Sequence, residues 1–177
     1  MSESFSLDPV ERIAAGAVGE PGDRTFYLQA RSDDQFVTLL VEKEQMRALA
    51  LSIAQMLQQL PEPSGSKPDV EGEPDLEQPL LPEWRVGPMA LHYDESRDRI
   101  VLIASEQPPP EGEDEPPPAE APDLATARFV ATRAQMRALA EHAQRVVEAG
   151  RPRCRFCGSP MNADGHVCTA MNGHRES

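Results

Sequence analysis

The hexapeptide QMRALA occurs at residues 45–50 and again at residues 135–140, ninety positions apart in a chain of 177 residues. The agreement extends beyond the hexapeptide, because apolar residues recur at the same offset with the spacing of one helical face. These residues are Met46, Leu49, Ala50, Ile53, Met56 and Leu57 in the first segment and Met136, Leu139, Ala140, Ala143, Val146 and Val147 in the second. Two helices with the same buried face are therefore predicted. Thr132 and Gln135 have the spacing of a capping box at the start of the second helix.

Each predicted helix follows three segments with the composition of strands. The strand candidates are 11–19, 23–31 and 36–42 before the first helix, and 83–93, 98–106 and 126–132 before the second. The last strands of the two sets correspond at the offset of ninety, and the middle strands, DRTFYLQAR and DRIVLIASE, correspond at an offset of seventy-five. The sequence therefore predicts a βββα unit used twice. We expect an α+β fold in which a largely antiparallel sheet of about six strands carries both helices on one face.

Two acidic, proline-rich stretches interrupt the pattern. Of the 18 prolines, 13 lie in residues 61–82 and 108–122, where aromatic and β-branched residues are rare. Such stretches cannot bury enough apolar surface to offset the entropy of ordering them, so disordered or extended loops are predicted. The predicted organisation is a first unit at 1–60, an acidic linker at 61–82, a second unit at 83–150 with an acidic insertion at 107–122, and a tail at 151–177.

The charge and the hydropathy exclude some classes of function. The two acidic stretches carry most of the net charge of −13, and an acidic whole-chain balance argues against nonspecific binding to DNA. No apolar run approaches the roughly 20 residues of a membrane helix, and the N-terminal MSESFSLDP lacks the basic start and apolar core of a signal peptide. We therefore expect a cytoplasmic protein that does not bind membranes.

Residues 1–150 contain no recognisable catalytic motif, and we predict no catalytic residue there. The phosphate-binding, dinucleotide-binding, nucleophile-elbow and HExxH patterns are missing from this part of the sequence. The GEPG at 19–22 predicts a turn that needs positive φ. His92, Tyr93 and Asp94 are adjacent on a predicted strand, so alternate side chains point to opposite faces and do not converge. His142 lies outside the apolar helical stripe and is expected to be solvated.

The strongest chemical signal is in the tail. Its three cysteines are Cys154, Cys157 and Cys168, and the first two form a Cys-x-x-Cys-Gly sequence typical of a zinc knuckle. Three closely spaced cysteines fit a metal site in a reducing compartment better than a disulfide framework. A thioredoxin-like redox pair needs a strand before the motif and a helix at it, and the flanking RPR and Gly-Ser-Pro supply neither.

A tetrahedral site needs a fourth ligand, and two histidines are candidates. His166 is two residues before Cys168, so both side chains share a face if this segment is a strand. His174 is the alternative, six residues after Cys168. We favour His166, because His174 is close to the chain terminus. Thiolate-rich ligation favours zinc over iron, and four protein ligands would leave no open position, which makes the metal structural.

Three motifs together resemble the family called domain of unknown function 3090, a mainly actinobacterial family described as a repeat protein. They are the GEPGDRTFYLQAR strand, the paired QMRALA helices and the CxxCGxPM…GHxC…NGH tail. The resemblance covers essentially the whole folded chain and implies no established activity, substrate or catalytic residue. The family often has proline after the first and third tail cysteines, where this chain has Arg155 and Thr169. This departure loosens the knuckles but leaves the ligands.

Two functions are compatible with these features. The first is a non-enzymatic binding or adaptor protein in which the zinc knuckle recognises a protein partner. Nucleic acid is a weaker candidate, because Phe156 is the only aromatic residue in the tail. The alternative is an enzyme with a pocket for a small molecule or a nucleic acid between the two units.

Overall fold

The computed structural model describes residues 2–20, 22–33, 35–61, 75–110, 112, 123–149, 154–159, 161 and 168. Within them, nine elements follow one another along the chain: β1 (Phe5–Leu7), β2 (Arg12–Val18), β3 (Thr25–Ser32), β4 (Gln35–Val41), α1 (Lys43–Gln59), β5 (Val86–Asp94), β6 (Arg99–Glu106), β7 (Thr126–Ala131) and α2 (Arg133–Glu148). The α+β class is confirmed. We call β2–α1 the first unit and β5–α2 the second unit. Most of the two predicted acidic loops lies outside the described residues.

The strands form two sheets where the sequence pattern predicted one. The first sheet has the order β2-β3-β4, and the second has the order β1-β7-β6-β5. Pairing within each unit is antiparallel, whereas β1 runs parallel to β7. Between the sheets, a parallel bridge joins Leu40 of β4 to Arg85, just before β5. The pairing of β5 with β6 shifts register between Val86 and Met89, an irregularity that bends the strand that carries it.

The two units exchange the segments that precede their first strands. In the N-terminal arm, β1 pairs with the last strand of the second unit, and the Val10 amide donates to the Val130 carbonyl at 2.8 Å. In the other direction, Leu40 in the last strand of the first unit donates to the Trp84 carbonyl at 3.1 Å. The three-residue β1 was missed by the sequence analysis, because it is too short to show a period. This exchange holds the two units together through backbone hydrogen bonds.

The two glutamines that open the QMRALA segments make matching contacts. Gln45 accepts from the Glu42 amide at the start of α1, and its Nε2 donates to the Val86 and Gly87 carbonyls at 2.9 Å each. Its counterpart Gln135 accepts from the Thr132 amide and donates to the carbonyls of residues 10 and 11, just before the first unit begins at β2. Each glutamine therefore caps its own helix and binds the backbone at the entrance to the other unit, which explains why the shared hexapeptide begins with glutamine.

The apolar stripes of the two helices form the centre of the core, as predicted. The buried helical residues are Met46, Leu49, Ala50 and Ile53 in α1 and Met136, Leu139, Ala140, Ala143 and Val147 in α2. The helices pack against each other, and α2 also packs against β2 of the first unit. Neither α1 nor α2, the helices of the described part of the chain, is long and apolar enough to cross a membrane.

The middle strands correspond one residue differently from the sequence alignment. The core residues of β3 are Phe26, Leu28 and Ala30, and those of β6 are Ile100, Leu102 and Ala104, which are 74 positions later. The predicted offset of seventy-five was wrong. It rested on the shared Asp-Arg pairs at 23–24 and 98–99, which lie where the preceding turns lead into β3 and β6. Because side chains alternate along a strand, an error of one residue in the offset would have placed the core residues of β6 on the opposite face of the sheet.

Candidate metal centre and inter-unit groove

The Cys-x-x-Cys-Gly sequence forms a tight turn. The Gly158 amide donates to the Cys154 carbonyl at 2.8 Å, and the Cys154 amide donates to the Ser159 carbonyl at 2.9 Å. Gly158 has φ of 73°, a conformation that disfavours residues with a Cβ. A Cβ at this position would have no neighbour within 4 Å, so the backbone conformation and not the available space requires glycine.

The three cysteines lie close together. The Sγ atoms of Cys154, Cys157 and Cys168 all lie within 4.8 Å of one another, and Cys154 is buried. The Sγ atoms of Cys154 and Cys168 are 3.7 Å apart, much longer than the roughly 2.05 Å of a disulfide bond. Two thiolates on a tetrahedral zinc ion, each about 2.3 Å from the metal, are separated by about 3.8 Å. The donor set therefore fits a metal ion of this kind. His166 and His174 lie outside the described residues, so the fourth ligand stays a prediction.

A groove of about 540 Å³ lies between the two units, along α1 and β5. The lining residues are Gln45, Ala48, Leu49, Ser52, Gln55, Met56 and Gln59 of α1 and Gly87, Met89, Ala90 and Leu91 of β5. Apolar and amide-bearing side chains dominate this surface, and none of these described lining residues is an acid, a base, a cysteine or a histidine. The groove therefore has the size of a ligand site but lacks the titratable groups that acid–base catalysis needs.

The groove exists because the two helix–strand interfaces are packed differently. Through the strand registers, Ile13 in β2 corresponds to Met89 in β5, and Ala15 corresponds to Leu91. Ala15 is fully buried where α2 packs on β2, whereas Leu91 is half-buried. A small side chain lets the helix approach its strand closely. The larger side chains of β5 hold that strand away from α1 and leave space between them.

The fold and the cysteine cluster can be set beside known proteins. A family model described as "Protein of unknown function (DUF3090)" matches residues 5–168. The chain belongs to this family. The matched range begins in β1 and ends at Cys168, so it includes both units and all three cysteines. No curated protein and no solved structure matches the chain.

Sequence reasoning missed one polar cluster in this DUF3090 protein. The Tyr93 hydroxyl donates to Asp98 Oδ1 at 2.6 Å, and Arg133 Nε donates to the same oxygen at 2.7 Å. The hydrogen bond to Asp98 raises the pKa of Tyr93, while the hydrogen bonds from Tyr93 and Arg133 lower the pKa of Asp98. The cluster connects the first residue of α2 to the β5–β6 turn through hydrogen bonds. Tyr93 and Asp98 flank one turn, but Arg133 is 35 residues after Asp98, and no local motif marks the three together.

The two histidines of the units have different surroundings. His92 is exposed on β5, and it does not join Tyr93 in the polar cluster. His142 was expected to be solvated, and this was wrong: only 19 % of its side chain is exposed, and its Nε2 lies 3.8 Å from Asp75 Oδ1. Burial lowers the pKa of His142 below its ordinary value of 6.5. The helical stripe could not reveal the approach of Asp75, because that residue comes from the linker.

Proposed function

We propose that this DUF3090 protein is a cytoplasmic, non-enzymatic binding or adaptor protein whose tail folds around one structural zinc ion. The observation that carries the proposal is the convergence of three thiols within 4.8 Å. Cys154, Cys157 and Cys168 would supply three ligands, and His166 the fourth, with His174 as the alternative. Zinc is favoured over iron because its tetrahedral preference suits thiolate and imidazole ligands, and the cytoplasm keeps thiols reduced.

The metal would give the tail its structure. The described tail has few apolar residues, and a segment of this size cannot build a core of its own. A bound zinc ion links distant thiolates and so couples metal binding to folding. With four protein ligands the metal has no open coordination position, which favours a structural role over activation of water.

The tip of the knuckle offers a surface for a protein partner. Phe156 lies between the first two cysteines and is 61 % exposed. The guanidinium carbon of Arg155 lies 5.9 Å from the centre of its ring. Exposed aromatic residues and arginines are enriched where proteins bind one another. We therefore propose that the knuckle recognises a protein, with single-stranded nucleic acid as the weaker candidate.

The alternative function is an enzyme that uses the groove between the units. The position and the size of the groove favour a ligand there. Its neutral lining favours binding over acid–base or nucleophilic chemistry.

We also propose that the two units arose by duplication. The matched roles of Gln45 and Gln135 support this proposal.

The metal is tested by elemental analysis of the full chain purified without added metal. We expect about one zinc ion per chain. The Cys154→Ser variant should lose it, because one thiolate is removed from a site that needs four ligands. Phe156→Ala is the matched control in the same turn and should keep the metal. Full zinc content in Cys154→Ser would contradict the proposal. Comparing His166→Ala with His174→Ala identifies the fourth ligand by which variant loses zinc.

The adaptor role is tested by capture from a native cytoplasmic lysate. The full chain is compared with a version that ends at residue 150 and with the Phe156→Ala variant, and both proteins and nucleic acids are identified. We expect a protein that the full chain retains and that the other two lose. If all three folded baits retain the same molecules, the tail is not the recognition surface.

A further inference from the structure

The end of the acidic linker lies across the outer face of the first sheet, held by a buried glutamine. Gln29 of β3 is only 2 % exposed. Its Nε2 donates to the Glu77 carbonyl at 2.9 Å, and its Oε1 accepts from the Glu77 amide at 2.8 Å. The same Nε2 also donates to Thr38 Oγ1 at 3.1 Å, which holds the side chain in place. A side-chain amide that pairs with both backbone groups of one residue recognises an extended chain whatever its side chain is.

Two arginines beside Gln29 select an acidic residue at this position. Arg12 Nη1 lies 2.9 Å from Glu77 Oε1, and Arg31 Nη2 lies 3.7 Å from the same oxygen. Arg12 also donates to the Asp75 carbonyl. Glutamine thus binds the backbone while the two guanidinium groups attract the carboxylate.

A gap in the side chains of β2 accepts the residue before Glu77. A Cβ built on Gly16 would lie 2.6 Å from Leu76 Cγ, so this position is open only because it is glycine. Leu76 therefore sits directly over the strand. The site has three parts: a backbone clamp, a cationic pair and an apolar slot. We call it the linker-binding face, made of Arg12, Gly16, Gln29 and Arg31.

The second unit lacks these groups at the corresponding positions. Through the strand registers, His92 of the second unit corresponds to Gly16, Ile103 to Gln29 and Ser105 to Arg31. A βββα unit of this fold therefore forms without a backbone clamp. The linker-binding face is an addition to the first unit and is not a requirement of the architecture.

We propose that the linker-binding face is a peptide-binding site for an extended acidic segment with leucine before glutamate, and that residues 75–78 are its tethered occupant. An acidic peptide from a partner protein would bind by displacing them. The recognition combines hydrogen bonds from a side-chain amide to the peptide backbone with charge complementarity. This site uses none of the cysteines, so it is separate from the metal centre of the proposed function.

The test uses a synthetic, fluorescently labelled peptide with the sequence of residues 75–82. Its binding is measured to the full wild-type chain and to a full-length Leu76→Ser/Glu77→Lys variant, in which the tethered segment binds the linker-binding face more weakly. We expect the variant to bind the peptide at least about tenfold more tightly, because a tethered competitor acts at an effective concentration on the order of millimolar. The gain should fall as salt is raised. Adding Gln29→Ala to the double variant should abolish this tighter binding of the peptide. Adding Ser105→Ala instead, at the position that corresponds to Arg31, should leave the tighter binding unchanged.

A peptide that carries Glu77→Lys is the specificity control and should bind the variant on the order of tenfold more weakly. The proposal is overturned if the folded variant does not bind the original peptide at millimolar concentration, or if the charge-reversed peptide binds equally well. Should the double variant not fold, the single Glu77→Lys variant takes its place, with the Gln29 side-chain amide signals in NMR spectra as the readout. Zinc content measured on the same samples reports separately on the metal centre.

Discussion

The two helix–strand interfaces differ in how closely they pack, although they occupy corresponding places. On one side, α2 packs on the alanine-rich β2. On the other, α1 and the larger residues of β5 enclose a groove of about 540 Å³. The apolar stripes of the two helices occupy corresponding positions, although the place of Ile53 in α1 is taken by the smaller Ala143 in α2. The comparison teaches that one βββα pattern can produce a closed core on one side and an open surface on the other, depending on the side chains that meet at each helix–strand interface.

The largest expected effect comes from making β2 resemble β5. Ala15→Leu should destabilise the protein by about 2 kcal/mol, because a larger side chain overfills a fully buried interface. The matched change Leu91→Ala should cost less than about 1 kcal/mol, since Leu91 is half-buried beside the groove. Urea denaturation monitored by circular dichroism measures both. Equal costs would mean that the two interfaces are equally packed.

The next effect tests the feature that the two sides share. Gln45→Ala and Gln135→Ala should each cost about 1–2 kcal/mol, because each removes a helix cap and hydrogen bonds to the other unit. The control Gln144→Ala, on the exposed face of α2, should change the free energy of unfolding by less than about 0.5 kcal/mol. If only one of these two substitutions lowered the free energy of unfolding, the two glutamines would not have equivalent roles.

A smaller effect concerns the N-terminal arm. Asp8 lies within reach of Arg97 and Arg128 of the second unit, and the hydrogen bond from Arg97 is the main reason that its pKa falls from 3.8 to about 2. The folded state therefore favours the ionised form. This stabilisation is fully present above about pH 4 and is lost as the pH falls towards 2.

The Asp8→Asn variant should therefore lose less stability than the wild type between pH 4 and pH 2, as thermal unfolding at several pH values will measure. Glu42→Gln is the control on the other side of the molecule, where Glu42 pairs with Arg85 at a more exposed site. That change should leave this acidic part of the stability profile closer to wild type. An unchanged profile in Asp8→Asn would show that the arm is held by its backbone alone.

The smallest effect is expected at His142, which corresponds to Ser52 in α1. Burial lowers the pKa of His142, so the unfolded state binds the proton more readily. Stability should therefore fall as the pH drops below 6.5. The His142→Ser variant places the residue of the first helix at this position and should remove this part of the pH dependence. Denaturant midpoints between pH 7.5 and pH 5 will test it, and His92→Ser, at an exposed strand position, is the control.

Local patterns were sufficient where neighbouring residues act together. The helical faces followed from the spacing of apolar residues, the capping box followed from Thr132 and Gln135, and the glycines of the turn at 19–22 indeed have positive φ. The three cysteines were grouped correctly because their spacing is short. Errors arose where the decisive neighbour is remote. Asp75 of the linker approaches His142, and the turn before β6 shifts the strand correspondence by one residue.

The sequence by itself determined the two helices, the strands of each unit and the cluster of thiols, because propensity, period and short spacing are properties of consecutive residues. Only the tertiary structure decided the division into two sheets, the exchange of entrance segments, the groove between α1 and β5 and the seat of residues 75–78 on the first sheet. Each of these depends on side-chain volumes and hydrogen bonds between residues that are far apart in the chain. The repeated hexapeptide is the link between the two levels, since its glutamine caps a helix locally and binds the other unit at a distance.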